Sequence, residues 1–295
     1  MHIGLQIPSF KYPGGVASIR PQLKEIVTTA EAVGFHSFWV MDHYYQIQGL
    51  FGEAYSDPMM ESYTLLGYLA GLTEKAYLGV MVTGVIYRLP SILLKMVNTL
   101  DVVSGGRAYF GVGAAWYQEE AEGFGVPYPS TRERFEWLED TLQLAHALWN
   151  GDETNFTGKR FAAPKMTNNP RPLSQPHPRI LIGGSGPKKT LRMTAQYADA
   201  CNFFEDEGEA RLQQILDTLK GHCDRLRRNY DEIEKTSLGT AHLTPGKDTV
   251  GGIMERLKVL SELGFSHAIF NMPNVYEIEP LETFGKEIIP AAAEL

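Results

Sequence analysis

The chain has 295 residues, enough for one large α/β domain or two small ones, and 43% of them are hydrophobic, ample for a sizeable core. Net charge is −8 with an isoelectric point near 5.5, and Lys and Arg are scattered, which argues against a nucleic-acid partner. The first residues, MHIGLQIPSF, carry no basic segment leading into an apolar stretch, and no run of about 18 apolar residues occurs, so a cytoplasmic protein without membrane contact is expected.

The first apolar run, residues 3–8, precedes a helix over 19–33, where Ile19, Leu23, Ile26, Val27, Ala30 and Val33 recur at helical spacing. Gly34 suits the left-handed backbone that ends a helix, and residues 38–41 read as a short buried strand. The pattern then repeats: a helix over 62–73 leads to a strand over 77–82. A helix over 90–103, closed by Gly105 and Gly106, leads to a strand over 108–112. Ser130 and Glu133 fit a capping box that opens a long helix carrying Leu138, Leu142, Ala145 and Trp149. Residues 151–178, rich in Pro, Asn and Gly, read as a surface excursion rather than a domain boundary.

Strand and helix alternate again afterwards. A strand over 179–182 precedes a helix over 187–197, and a strand over 200–204 precedes a helix over 209–229. A seventh strand over 237–243 is followed by a helix capped by Asp248, an eighth strand over 268–271 and a last helix over 279–289. Residues 30–42 and 259–271 share a helix-Gly-Phe-strand outline. Eight such units predict one (β/α)8 TIM barrel spanning 1–295, with loop insertions at the C-terminal ends of the strands. A doubly wound sheet would carry a glycine fingerprint in its first turn, and none is present. Cys201 and Cys223 lack CxxC spacing and read as small buried side chains, so neither a disulfide nor a metal site is expected.

Active sites of such barrels form where strands end. The second strand exits into Asp42-His43, an imidazole able to move protons beside a carboxylate that could orient it. The other histidines are expected in structural or solvated roles. The third exits into Thr83-Gly84-Val85, where glycine admits close approach of a flat ligand and the hydroxyl can hydrogen-bond, although a simple turn explains it nearly as well. The fourth exits into Gly111-Val112-Gly113-Ala114-Ala115-Trp116, whose small residues suit either a planar ring or tight strand–helix packing. The fifth exits into Gly183-Gly184-Ser185-Gly186-Pro187, where backbone N–H groups at a helix start can converge on a phosphate. Tyr44, Tyr45, Phe51, Tyr55, Met59 and Met60 suggest an apolar pocket or packing under a loop.

WVMDH, the TGV exit, GVGAAW followed by Glu119 and Glu120, and LIGGSGP, in that order, resemble the bacterial luciferase-like superfamily, specifically its coenzyme F420-dependent branch. The resemblance covers nearly the whole chain. It implies a barrel with a flavin or deazaflavin at the strand ends, Asp42 and His43 near the reactive ring, and Thr83-Gly84 along one ring face, often through a cis peptide at that exit. It also implies Gly113, Ala114 and Ala115 flanking the cofactor, Gly183 to Gly186 holding its phosphate, and Glu119 as an acid near the ring. The expected activity is hydride transfer between F420 and a small organic substrate, in a homodimer with an apolar face on the helices after strands two and three. The alternatives are a reduced-FMN monooxygenase using O2, a flavin-binding protein without turnover, and a cofactor-free aldolase or isomerase of phosphate substrates.

Overall fold

The computed structural model describes residues 1–49 and 54–295, so Phe51 lies outside the described residues. Its strands are β1 (His2–Ile7), β2 (Ser37–Val40), β3 (Tyr77–Val80), β4 (Thr83–Gly84), β5 (Ala108–Gly113), β6 (Glu153–Thr157), β7 (Ala162–Thr167), β8 (Arg179–Gly183), β9 (Ala200–Phe204), β10 (Glu234–Thr240) and β11 (His267–Asn271). The helices are α1 (Val16–Ala32), α2 (Ser62–Ala70), α3 (Pro90–Val103), α4 (Gln118–Gly123), α5 (Thr131–Trp149), α6 (Thr190–Tyr197), α7 (Glu209–Leu226), α8 (Val250–Glu262), α9 (Glu279–Thr283) and α10 (Ile289–Ala292). Parallel pairing runs β3-β2-β1-β11-β10-β9-β8-β5, and a β3–β5 pairing closes the ring. This is the predicted (β/α)8 barrel.

Alternation along each strand gives the barrel two cores. Ile3, Leu5 and Ile7 point outward into the layer of helices. Trp39, Tyr109, Leu181, Leu238 and Ile269 point inward and fill the lumen. Gly79 is required there, because a β-carbon on it would lie 2.4 Å from the Trp39 ring.

The elements depart from the sequence pattern in specific places. The strand expected over 77–82 breaks at a cis Met81–Val82 bond and resumes as β4. The seventh strand begins at Glu234 rather than residue 237, because the charge of Glu234, which hides it from an apolar pattern, is neutralised inside the barrel mouth. Thr249, not Asp248, caps α8 through Gly252 N–H, and Asp248 instead accepts from His242 N–H. The excursion holds the antiparallel hairpin β6–β7, whose turn is pinned where Asp140 accepts from the N–H groups of Lys159, Arg160 and Phe161. The capping box of Ser130 and Glu133 forms as the spacing predicts. Cys201 and Cys223 are buried and free. No described helix is long and apolar enough to cross a membrane.

The N-terminal mouth of the barrel is closed by a polar cluster. His267 Nε2 lies 2.8 Å from Ser37 Oγ, and its Nδ1 lies 3.2 Å from Glu234. The order resembles a hydrolase relay, but Ser37 and His267 are fully buried and Ser37 also accepts from Trp39 Nε1, so the cluster packs rather than reacts. His36 stacks on His2 at 3.9 Å. Burial, followed by the neighbouring His267 and His2, lowers the His36 pKa to about 3. Burial alone would raise the Glu234 carboxyl, but hydrogen bonds from His267 and Tyr109 and the charge of Arg179 bring it down to about 2.

Both shifts destabilise the fold in acid. Between the ordinary 6.5 and about 3 an unfolded His36 takes up a proton that the folded one refuses. Glu234 contributes stability above its ordinary 4.5, and that contribution is lost as pH falls through about 2. The melting temperature is therefore expected to fall continuously from pH 7 to pH 4, and Glu234→Gln to flatten the part below about pH 4.5. A melting temperature that is flat or rising toward pH 4 would contradict this account.

Candidate active site

A cavity of about 950 Å³ opens at the C-terminal ends of the strands. That is the end at which barrels of this class place their sites, and the size suits a ligand of cofactor dimensions. Asp42 and His43 both line it, but as consecutive residues leaving a strand they turn to different partners. The Asp42 carboxylate takes both guanidinium nitrogens of Arg88 at 2.8 and 2.9 Å, Ser62 Oγ at 2.7 Å and Gly84 N–H at 3.1 Å. Arg88 also meets Glu61. Asp42 is thus committed to joining the exits of β2 and β3, and it does not orient His43.

That task falls to Glu120. The family resemblance implied Glu119, yet α4, a short helix that the sequence pattern did not predict, exposes Glu119 and buries Glu120 completely. The Glu120 carboxylate accepts from the N–H groups of Tyr44 and Tyr45 at 2.6 and 2.8 Å, from the Tyr87 hydroxyl, and from His43 Nδ1 at 3.1 Å. Burial would raise its pKa, but the bonds from His43, Tyr87 and Tyr45 outweigh burial and hold it below the usual carboxylate range. An ionised partner at Nδ1 keeps the proton there and leaves Nε2, which has no partner among the described residues, as the basic nitrogen. Edge contacts to Trp116 and Tyr117, at 5.5 and 5.9 Å, fix the ring plane.

The wall formed by β3, β5 and β8 is lined by Gly84, Gly113, Ala114, Ala115, Gly183 and Gly184. Two of these glycines also make room for the protein's own Val82. A β-carbon at Gly113 would meet Val82 at 2.9 Å and one at Gly183 would meet it at 3.1 Å. The cis Met81–Val82 bond, immediately before the Thr83-Gly84 pair, sets Val82 between them as an apolar platform facing the cavity. Thr83 lies behind this wall, its hydroxyl paired with Tyr63 at 2.9 Å, and Val85 is buried in the core. Ala115 holds a φ of 60°, a left-handed conformation that is uncommon outside glycine.

At the fifth exit α6 starts at Thr190, three residues later than the Pro187 start expected from the sequence. Gly184 N–H donates to Asn202 O at 3.2 Å, and Ser185 Oγ donates to Glu207 at 3.1 Å. The N–H groups of Ser185 and Gly186 find no acceptor among the described residues. Arg134, a residue without a sequence signal, lines the same cavity. It is 8% exposed and is held only by neutral oxygens of Ala114, Pro129 and Thr131 and the face of Tyr128. Two unfilled N–H donors and a guanidinium without a carboxylate fit the phosphate of a nucleotide-like cofactor.

The remaining lining also escaped the sequence pattern. Glu205 sits opposite Arg256, whose Nε is 3.1 Å from its carboxylate with the N–H off the line to the oxygen. Burial raises the Glu205 pKa, and Arg256 offsets this only in part. The apolar lining comes from Met41, Ile47, Val82, Phe135, Phe204 and Leu238. Of the aromatic and Met positions expected there, Tyr44 packs on Tyr87 and Phe124, Tyr45 on Phe124 and Tyr55, and Met59 and Met60 against the core.

Comparison with known proteins agrees with this geometry. An F420-dependent glucose-6-phosphate dehydrogenase of Nakamurella multipartita is 25% identical over 334 aligned positions, covering 95% of both chains. The pyrimidine monooxygenase RutA of Pseudomonas savastanoi pv. phaseolicola is 29% identical over 219 positions, covering 70% of this chain and 58% of its own. An F420-dependent secondary alcohol dehydrogenase, solved in complex with an F420-acetone adduct, superposes with a TM-score of 0.80 at 18% identity over 99% of both chains. The family pattern described as luciferase-like monooxygenase matches residues 1–266. The chain belongs to the luciferase-like monooxygenase family.

Proposed function

We propose that the chain is an F420-dependent oxidoreductase that transfers a hydride between the deazaflavin and a small organic substrate. The observation that carries this reading is a single cavity lined both by a histidine with one nitrogen anchored and the other open, and by Gly183 and Gly184, which lead into a turn with two unfilled N–H groups. The F420-named relative that aligns over 95% of both chains supports the cofactor assignment. When bound, the cofactor supplies the hydride chemistry.

The chain's own residues do the rest. Val82, Gly84, Gly113, Ala114 and Ala115 support a planar ring, with Thr83 and Val85 bracing the wall from behind. Gly183, Gly184, the N–H groups of Ser185 and Gly186, and Arg134 hold a phosphate. His43 gives or takes a proton through Nε2, with Glu120 as its positioning residue. Asp42 holds the ring-side loop through Arg88 and Gly84, and Glu119 has no part in the site.

A second reading, a reduced-FMN monooxygenase, is favoured by the similarity to RutA. Equilibrium titration with F420 and with FMN, followed by turnover with and without O2, separates the two. F420 binding with oxygen-independent turnover is the expected result, whereas tight FMN binding without F420 binding rejects the first reading. Turnover of a phosphate substrate without any cofactor would reject both. A homodimer packed on the exposed Leu89, Ile92 and Val103 at α3 belongs to the same proposal, and a monomeric mass in solution would exclude it.

A further inference from the structure

Two carboxamides on the cavity floor have nothing to pair with. Gln6 stands near the end of β1 and Asn271 at the end of β11, and the parallel register sets them side by side. Both line the cavity, and they are only 2% and 5% exposed. Gln6 Oε1 and Asn271 Oδ1 are buried and find no hydrogen-bond partner among the described residues, nor does either side chain donate to one. Buried polar atoms are ordinarily satisfied, and leaving one unpaired forfeits its hydration with nothing in return. The fold itself has no need of amides here. The next inward position down β11 is Ile269, part of the apolar lumen core, so an aliphatic side chain would fill either place.

The topology says what these groups face. In the ring of eight strands β1 stands four places from β8, and β11 four places from β5, so the two amides lie across the lumen from the Gly113–Ala115 and Gly183–Gly184 wall. A planar ring against that wall has one face on Val82 and the other toward Gln6 and Asn271. The two amide positions carry no charge, and among the charged residues lining the cavity Asp42 is matched by Arg88. Arg134 and Arg256 enter from α5 and α8, and Arg256 is already matched by Glu205. A third amide, Asn202, has its nitrogen committed to Thr236 Oγ1 at 2.8 Å.

We propose that Gln6 and Asn271 form a substrate subsite that binds a neutral compound by an amide edge: a lactam, imide, ureide or pyrimidinone. Each carboxamide offers one donor and one acceptor in a plane, and a half-turn of its last torsion exchanges them. An N–H beside a C=O in the ligand therefore meets two in-plane hydrogen bonds at either residue. An anion would lack a counter-charge on this floor, and a ketone would leave the acceptors empty. The assignment rests on the reading of the β3–β5–β8 wall as the cofactor side.

The test uses the full chain, with and without F420, titrated with 2-pyrrolidinone, succinimide, cyclopentanone and cis-1,2-cyclopentanediol and read by tryptophan fluorescence, since Trp116 lines the cavity. The lactam and imide are expected to bind at least about tenfold more tightly than the ketone or the diol. Gln6→Met and Asn271→Leu should each erase that preference while melting at or above the wild-type temperature, because each removes an unpaired buried amide. F420 affinity should be the same in wild type and both variants. Equal binding of lactam and ketone, tighter binding of the diol, or variants that keep the lactam preference overturn the subsite. Variants that lose F420 along with the lactam assign the amides to the cofactor and overturn it too. Absence of F420 binding in the wild type counts against the cofactor reading alone, because the lactam titration without F420 still reports on the floor.

Discussion

His43→Asn is expected to lower kcat by about 10²–10⁴-fold, the usual contribution of a positioned acid or base, while F420 affinity stays within about threefold. The reason is the division of labour in the imidazole. Nδ1 is held at 3.1 Å by Glu120 and cannot serve the substrate, so only Nε2 is open to the cavity. Asparagine keeps a donor toward Glu120 but supplies no titrating nitrogen, so chemistry should be lost and the loop kept. Glu120→Gln separates the two roles further. It keeps the size of the side chain but removes the charge that holds the proton on Nδ1, so kcat should fall by about tenfold and the pH profile should shift. Steady-state kinetics over a pH series, with fluorescence titration of the cofactor alongside, measures both effects. If His43→Asn left turnover unchanged, another group such as Glu205 would carry the proton, and absence of turnover in wild type and variant alike would mark a flavin-binding protein without turnover.

The largest loss of stability is expected from Asp42→Ala, about 3–5 kcal/mol. The Asp42 side chain is 1% exposed and that of Arg88 is 9% exposed, so deleting the carboxylate leaves a guanidinium in the protein interior with only the half-exposed Glu61 as its counter-ion. Ser62 Oγ and Gly84 N–H lose their acceptor at the same time. A guanidinium holds its proton far above neutral pH, so even without Asp42 the cation cannot escape the cost by deprotonating. Replacing both partners, as Asp42→Leu with Arg88→Met, should recover part of the loss because no charge is then stranded. Urea unfolding checks this: the midpoint should drop for the single variant and rise again for the pair, with the slope constant. A single variant within about 1 kcal/mol of wild type would show that Glu61 alone suffices.

Much of the fold was legible because its signals are local. Helical spacing in α1 and α5, the glycines that end helices at 34, 105 and 106, and the Ser130–Glu133 box each depend on residues within a few positions of one another. The elements that were missed or misplaced are those whose signal comes from elsewhere. Residues 153–167 form a hairpin because Asp140, on another element, caps its turn. The charge of Glu234 conceals its strand until the Arg179 guanidinium and hydrogen bonds with His267 and Tyr109 arrive to stabilise it.

The same division runs through the site. By itself the sequence determined the barrel and which segments stand at its C-terminal mouth, since strand and helix periods are written in consecutive residues and the closed ring then fixes which ends point one way. Only the tertiary structure decided which side chains meet there. It brought Glu120 rather than the adjacent Asp42 to His43 across 77 positions of chain, set Val82 into the space of Gly113 and Gly183, and brought Arg134 into the same cavity as His43 and Gly184. It also set Gln6 beside Asn271, from opposite ends of the chain. Hydrogen bonds and close packing act over a few ångströms of space, and no pattern of neighbouring residues records which distant segment will supply the partner.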